Sequence, residues 1–143
     1  MAVRPVYTEI EHTADVGIEL TAVDLASALS TAAAAMFDMM CGLDLVAEDW
    51  RTTLTVDARE GDLENLLVRW LSELLFLHHS EGVLLSRFEV VSLGGGSLTA
   101  NVAGERIDAA RHPAGLEIKA ATYHDLLIDE STDGWRVRVI FDT

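Results

Sequence analysis

The sequence predicts a compact α+β domain, with mainly antiparallel sheet packed against two principal α-helices. Three observations lead there. Trp135, Val137, Val139 and Phe141 are apolar at every second position, with Arg136, Arg138, Ile140 and Asp142 between them, the period of a strand with one buried face. Two segments, one alanine-rich after Asp24 and one leucine-rich after Asp62, carry apolar residues at helical spacing instead. Strand-like runs stand before, between and behind these two segments, joined by glycine-bearing turns.

Residues 6–10 and 16–21 read as short strands, the second with Ile18 and Leu20 on its core face. Asp24 is the candidate N-cap of a helix over 25–41 that stops at Gly42. Leu25, Leu29, Ala32, Ala33, Met36 and Met40 share one side of it, and its alanines favour helix and allow close approach to a sheet. The methionine stripe reads as core. β-Branched alternation makes 52–57 a third strand, broken by Arg59, Glu60 and Gly61, after which Asp62 caps the second helix. There Leu63, Leu66, Leu67, Trp70, Leu71, Leu74 and Leu75 follow the i, i+3, i+4, i+7 pattern. His78 and His79 stand near its end, where histidine complements exposed carbonyls; being adjacent, they face different directions, which argues against a shared metal.

Residues 88–93 and 97–103 flank Gly94, Gly95 and Gly96. That triple glycine lacks the Gly-Lys-Ser/Thr ending and the following helix of a phosphate loop, so it reads as a hairpin turn. Residues 106–113 are ambiguous between a short helix and an ordered loop. The run 117–129 alternates over part of its length, with Ile118, Ala120, Thr122, His124, Leu126 and Ile128 on one face and Lys119, Tyr123 and Asp125 on the other. Ser131-Thr132-Asp133-Gly134 then turns it back against the last strand.

With 143 residues, half of them hydrophobic, the chain is large enough for one ordinary core and too short to expect two, so a single domain over 1–143 is expected. Ten basic residues against twenty-four acidic ones leave a formal charge of −14, which argues against direct nucleic-acid binding in the absence of a concentrated basic patch. A lone Cys41 excludes an intramolecular disulfide and reads as a small buried hydrophobe. The longest uncharged run, 25–37, is shorter than the ~20 residues that span a bilayer, and the N-terminus has no apolar signal core. A cytoplasmic protein without membrane attachment is the expectation.

Two places collect ionisable groups between core strands. One is Glu11-His12-Thr13-Ala14-Asp15; the other is the chain end, where a rigid strand carries Asp142 and the Thr143 carboxylate. Carboxylates are hard oxygen ligands suited to calcium, magnesium or manganese, and no thiolate or histidine cluster suited to zinc accompanies them. Asp15 as a turn residue and Asp142 as a solvated end is the bland reading that stands beside this one. Lys119 is a lone cation in an uncharged stretch, either snorkelling from a strand or balancing the carboxylates. His124 is a candidate general base, or a hydrogen-bonded core residue on the Ile118 face. No Ser-His-Asp spacing, nucleophile elbow or dinucleotide fingerprint appears.

At these residues the chain resembles the archease family. The resemblance rests on Glu11-His12-Thr13-Ala14-Asp15, on the stretch from Glu117 through Lys119 to His124, on Gly134 through Asp142, and on the leucine-rich context from Trp70 to Leu77. It spans essentially the whole domain. It implies an accessory protein, not itself an enzyme, for the tRNA-splicing RNA ligase that joins 2′,3′-cyclic-phosphate or 3′-phosphate ends to 5′-hydroxyl ends. Such a protein promotes formation of the ligase-guanylate intermediate and repeated turnover. The resemblance carries a divalent-metal site, calcium in the family's structures with magnesium or manganese as alternatives, onto Asp15, Asp142 and Thr143. It makes Asp15, Lys119, Asp142, His12 and His124 the activity-associated positions. Thr143 departs from the aliphatic residue expected at the family's chain end; a main-chain or terminal-carboxylate ligand tolerates that change. Two other readings compete: a stand-alone metal-dependent phosphohydrolase or nuclease using the same carboxylates, and a chaperone-like protein-binding module.

Overall fold

The computed structural model describes residues 4–11 and 15–143. Among them eight strands and two helices follow in the order β1 (Thr8–Glu11), β2 (Val16–Ala22), α1 (Leu25–Met40), β3 (Trp50–Asp57), α2 (Leu63–Glu81), β4 (Val83–Gly94), β5 (Ser97–Arg106), β6 (Ala120–Ala121), β7 (Leu127–Ser131) and β8 (Gly134–Asp142), with a 3-10 turn at Leu43–Leu45.

Both helices begin where the sequence places their caps. The Asp24 carboxylate accepts the Ser27 N–H at 2.7 Å and the Asp62 carboxylate accepts the Asn65 N–H at 3.0 Å, each satisfying a donor that has no partner within its helix. α1 ends as Cys41 turns extended. α2 ends at Gly82, whose φ of 64° is left-handed backbone that glycine adopts without a Cβ penalty, and its N–H closes onto the His78 carbonyl.

The strands form two antiparallel sheets. In the first, the order is β1, β2, β8, with β6 and β7 sharing the far edge of β8; in the second, it is β3, β5, β4. α1 packs on β2 and β8 of the first sheet and on β4 of the second, while α2 packs on β6 and β7 of the first and on all three strands of the second. The helices therefore fill a layer between the sheets. That position explains α1: every residue of it is at least partly buried, and Ala28, Ala32, Ala33 and Ala35 are fully buried because backbones approach closely on both sides. Trp70, also fully buried, donates its indole N–H to the Leu29 carbonyl at 2.9 Å and so ties α2 to α1.

β8 matches its alternation: Val137, Val139 and Phe141 are fully buried and face the helices, and Trp135 packs against the same core. β5 takes in Arg106, and residues 107–113 form an ordered loop rather than a helix, closed by His112, which accepts the Asp108 N–H at 2.9 Å and bonds Glu105 at 2.9 Å. Cys41 is buried.

The run 117–129 departs from the single alternating strand that its pattern predicts. β6 is only two residues long, and a turn separates it from β7. From Phe141 to Arg138 the partner strand advances three residues, whereas this one advances six, from Ala121 to Leu127. Three extra residues bulge out, with Asp125 at φ 51°, a left-handed conformation that aspartate tolerates better than most side chains. The excess reverses the phase, so Ala121 rather than Ala120 faces the core with Phe141, and Ile128 returns to it.

Candidate functional site

The site is built on the end of β8, which is flanked there on both edges. On one side Val16 opposes Phe141, Gly17 opposes Ile140 and Ile18 opposes Val139; on the other, Ala120 opposes Asp142 and Ala121 opposes Phe141. One step outward from the Val16–Phe141 pair stand Asp15 and Asp142. Opposed residues of antiparallel strands share a face. The alternation thus sets Asp15, Gly17, Ile140 and Asp142 on the face turned away from the helices. Backbone bonds fix this end: the Lys119 N–H donates to the Asp142 carbonyl at 2.8 Å, and the Thr122 N–H and hydroxyl donate to the Ile140 carbonyl at 3.0 and 2.8 Å. Sequence-distant Asp15, Lys119 and Asp142 are thereby brought to one end of one sheet, with Thr143 following. Asp15 and Thr143 are half-buried, while Asp142 and Lys119 are exposed.

Ile140 is the unexpected member of this face. It is only 2% exposed although Arg136, which shares its side of β8, is exposed. Its place depends on Gly17, since a Cβ there would lie 2.6 Å from Ile140 Cδ1 and 2.6 Å from the Val139 carbonyl oxygen. This flat, apolar pair stands one alternation step along the strands from the two aspartates, on the same face.

Among the described residues, no group of three or more His, Cys, Asp or Glu side chains is placed to hold a metal ion. Among the described residues, the oxygens that the register brings to this end are those of the Asp15 and Asp142 carboxylates and of Thr143. All are hard oxygens, the donor type that calcium, magnesium and manganese prefer.

The turn over 122–126 holds His124 in solvent, not on a core face: its Nε2 lies 3.4 Å from the Asp125 carboxylate, with both side chains more than half exposed. The turn is braced from two sides. Asn65 of α2 donates to the Tyr123 hydroxyl at 2.7 Å, and Arg138 of β8 donates to the Asp125 carbonyl at 2.9 Å. His12 lies outside the described residues. Asn65 and Gly17 carry no signal in the sequence, Tyr123 shows there only as a neighbour of Lys119 on one face, and Ile140 only as the exception on the polar side of β8.

A second ionisable cluster lies on the other sheet. Glu105, 8% exposed, accepts the Ala47 N–H at 3.0 Å, pairs with Arg111 and bonds His112, and the backbone bond from Ala47 followed by Arg111 holds its carboxyl down at about 2. Every partner is satisfied, which marks a loop clasp. A cavity of about 570 Å³ beside Ser27, Ser30 and Arg87 and another of about 500 Å³ beside Arg51 and Asn101 include none of Asp15, Lys119 or Asp142. No helix of the described residues is long and apolar enough to cross a membrane.

Comparison with known proteins gives a consistent picture. Residues 7–143 match the model of the archease protein family (MTH1598/TM1083). The chain is 36% identical over 139 residues to the protein archease of Methanopyrus kandleri, covering 95% of this chain and 98% of that one. It is also 36% identical over 136 residues to that of Pyrococcus abyssi, covering 92% and 94%. The solution structure of Methanobacterium thermoautotrophicum protein 1598 superposes with a TM-score of 0.82 at 31% identity, over 96% of this chain and 98% of that one. The crystal structure of an archease from Thermotoga maritima, described as a possible chaperone, shares the fold, with a TM-score of 0.65 at 24% identity over 94% of each chain.

Proposed function

The chain belongs to the archease family, and on that footing we propose that it is an accessory activator of the tRNA-splicing RNA ligase, the enzyme that joins 2′,3′-cyclic-phosphate or 3′-phosphate ends to 5′-hydroxyl ends. It promotes guanylylation of the ligase and its repeated turnover, and does not itself ligate RNA. The observation that carries this reading is the register of β8, which collects Asp15, Asp142 and the chain end at one edge of the fold, with Lys119 beside them.

Asp15, Asp142 and the Thr143 carboxylate would hold one divalent ion. Such an ion supplies positive charge that offsets the charge of phosphate oxygens. Coordination that this chain does not supply is available to a partner, which suits a protein that presents a site rather than encloses one. With a formal charge of −14, the chain is poorly suited to gripping an RNA backbone and better suited to meeting a basic, nucleotide-binding protein surface. Self-sufficient phosphohydrolase chemistry is the weaker reading, because among the described residues the donor set at this end amounts to two carboxylates and the oxygens of Thr143.

The test is single-turnover guanylylation of a cognate ligase with GTP and manganese, with and without this protein. The proposal expects faster guanylylation, reduced at least tenfold by Asp15→Ala or Asp142→Ala in folded variants. Equal stimulation by those variants would remove the metal site from the account, and no stimulation by the wild type would remove the ligase.

A further inference from the structure

Resting on that functional reading, we infer that Tyr123 and Asn65 form a latch which positions the Lys119–His124 side of the site against the end of β8. β6 has only two residues, so the ladder alone gives it little hold. What extends its grip on β8 is the Lys119 N–H, held by the Asp142 carbonyl, on one side and on the other Thr122, whose N–H and hydroxyl both reach the Ile140 carbonyl, and Thr122 opens the three-residue excess that carries His124. An excess of this kind relaxes by sliding unless it is braced. Arg138 braces it from β8 through the Asp125 carbonyl. The other brace comes from a different layer of the fold.

That brace is a polar chain anchored in the first turn of α2. The Asn65 N–H is held by the N-cap Asp62 at 3.0 Å, its side-chain oxygen accepts Arg69 Nε at 3.1 Å, and its amide nitrogen is thereby left to donate to the Tyr123 hydroxyl at 2.7 Å. Arg69 fixes which way the Asn65 amide points. Tyr123 is 55% exposed, so its ring buries little surface and the contact depends on the hydroxyl. Tyr123 and Asn65 are positioning residues: they act on Lys119 and His124 through the backbone of the turn.

The experiment compares wild type with Tyr123→Phe, Asn65→Ala and the double variant, in two readouts. Hydrogen exchange is expected to quicken at the amides of Thr122 and His124 in each single variant, with the unfolding midpoint unchanged. In the ligase assay the plateau rate of stimulation is expected to fall several-fold while the manganese concentration giving half-maximal stimulation is kept, because Lys119 and His124 are not among the residues that would hold the ion. The double variant is expected to be no worse than either single one, since both remove the same bond. Unchanged exchange at the turn, an unchanged plateau, or additive effects would overturn the latch. If the wild type fails to stimulate the ligase, the functional reading falls, and exchange at the turn still decides whether the latch holds.

Discussion

Gly17 and Ile140 are cross-strand partners with no room for a methyl group between them: a Cβ on Gly17 would meet Ile140 Cδ1 and the Val139 carbonyl oxygen, each at 2.6 Å. The pair lies one alternation step from Asp15 and Asp142 on the same face, so strain at Ile140 falls on the strand that carries Asp142. Gly17→Ala is therefore expected to destabilise the fold by about 1–3 kcal/mol, the usual cost of overpacking. It is also expected to weaken metal binding. Shortening Ile140 to alanine in the same chain should recover only part of the stability, because the Val139 carbonyl does not move out of the way. Urea unfolding of both variants checks this.

The Trp70–Leu29 bond joins two helices inside the middle layer, where no water can replace it. Trp70→Phe removes the second hydrogen bond to the Leu29 carbonyl, which keeps only its bond within α1, and leaves a void beside it. A loss of about 2–4 kcal/mol is expected from the two effects together, read as a lower midpoint in chemical denaturation with the fold retained.

Acid should loosen the loop at residues 107–113. Glu105 is held down at about 2 by the Ala47 N–H, then by Arg111 and His112, below the ordinary glutamate value of 4.5. A carboxyl whose folded value lies below its unfolded one lends stability above the unfolded value and loses it as pH falls toward the folded one. The clasp is thus intact above pH 4.5 and is lost between 4.5 and about 2. Glu105→Gln should flatten the stability profile across that window, measured by thermal unfolding at stepped pH.

His78 acts in the same sense at milder pH. Burial pushes its imidazole below the ordinary 6.5, outweighing the bond to the Val83 carbonyl at 2.7 Å. The neutral form is favoured in the fold, so stability present above pH 6.5 declines as pH falls below it. His78→Asn should remove that decline, which titration of unfolding free energy from neutral pH downward would show.

Much of this fold is legible in the chain because its signals are local. Asp24 and Asp62 cap the helices they precede, and the spacing of Leu66, Leu67, Trp70, Leu71, Leu74 and Leu75 marks the buried face of α2. The split of 117–129 is not legible, since Ala120, Ala121 and Thr122 are too similar in polarity to reveal a change of phase; Asp125 is the sole turn signal. The site is legible only as residue types. Carboxylates at both ends of the chain suggest hard-cation chemistry, but what unites them is β8 lying between β2 and β6, a long-range pairing that no local pattern encodes. Asn65 is the clearest omission, because an exposed polar residue on a leucine-rich helix looks like ordinary solvated surface until Tyr123 stands opposite it.

The central claim is that Asp15 and the last two residues bind one divalent ion together. Calorimetric titration with manganese tests it most directly, on the wild type, Asp15→Ala, Asp142→Ala and a chain whose C-terminal carboxylate is amidated. The account predicts one site per wild-type chain and at least about tenfold weaker binding when any of the three oxygen sources is removed, since each lost carboxylate removes a charged ligand. Equal affinity across all four proteins would contradict it.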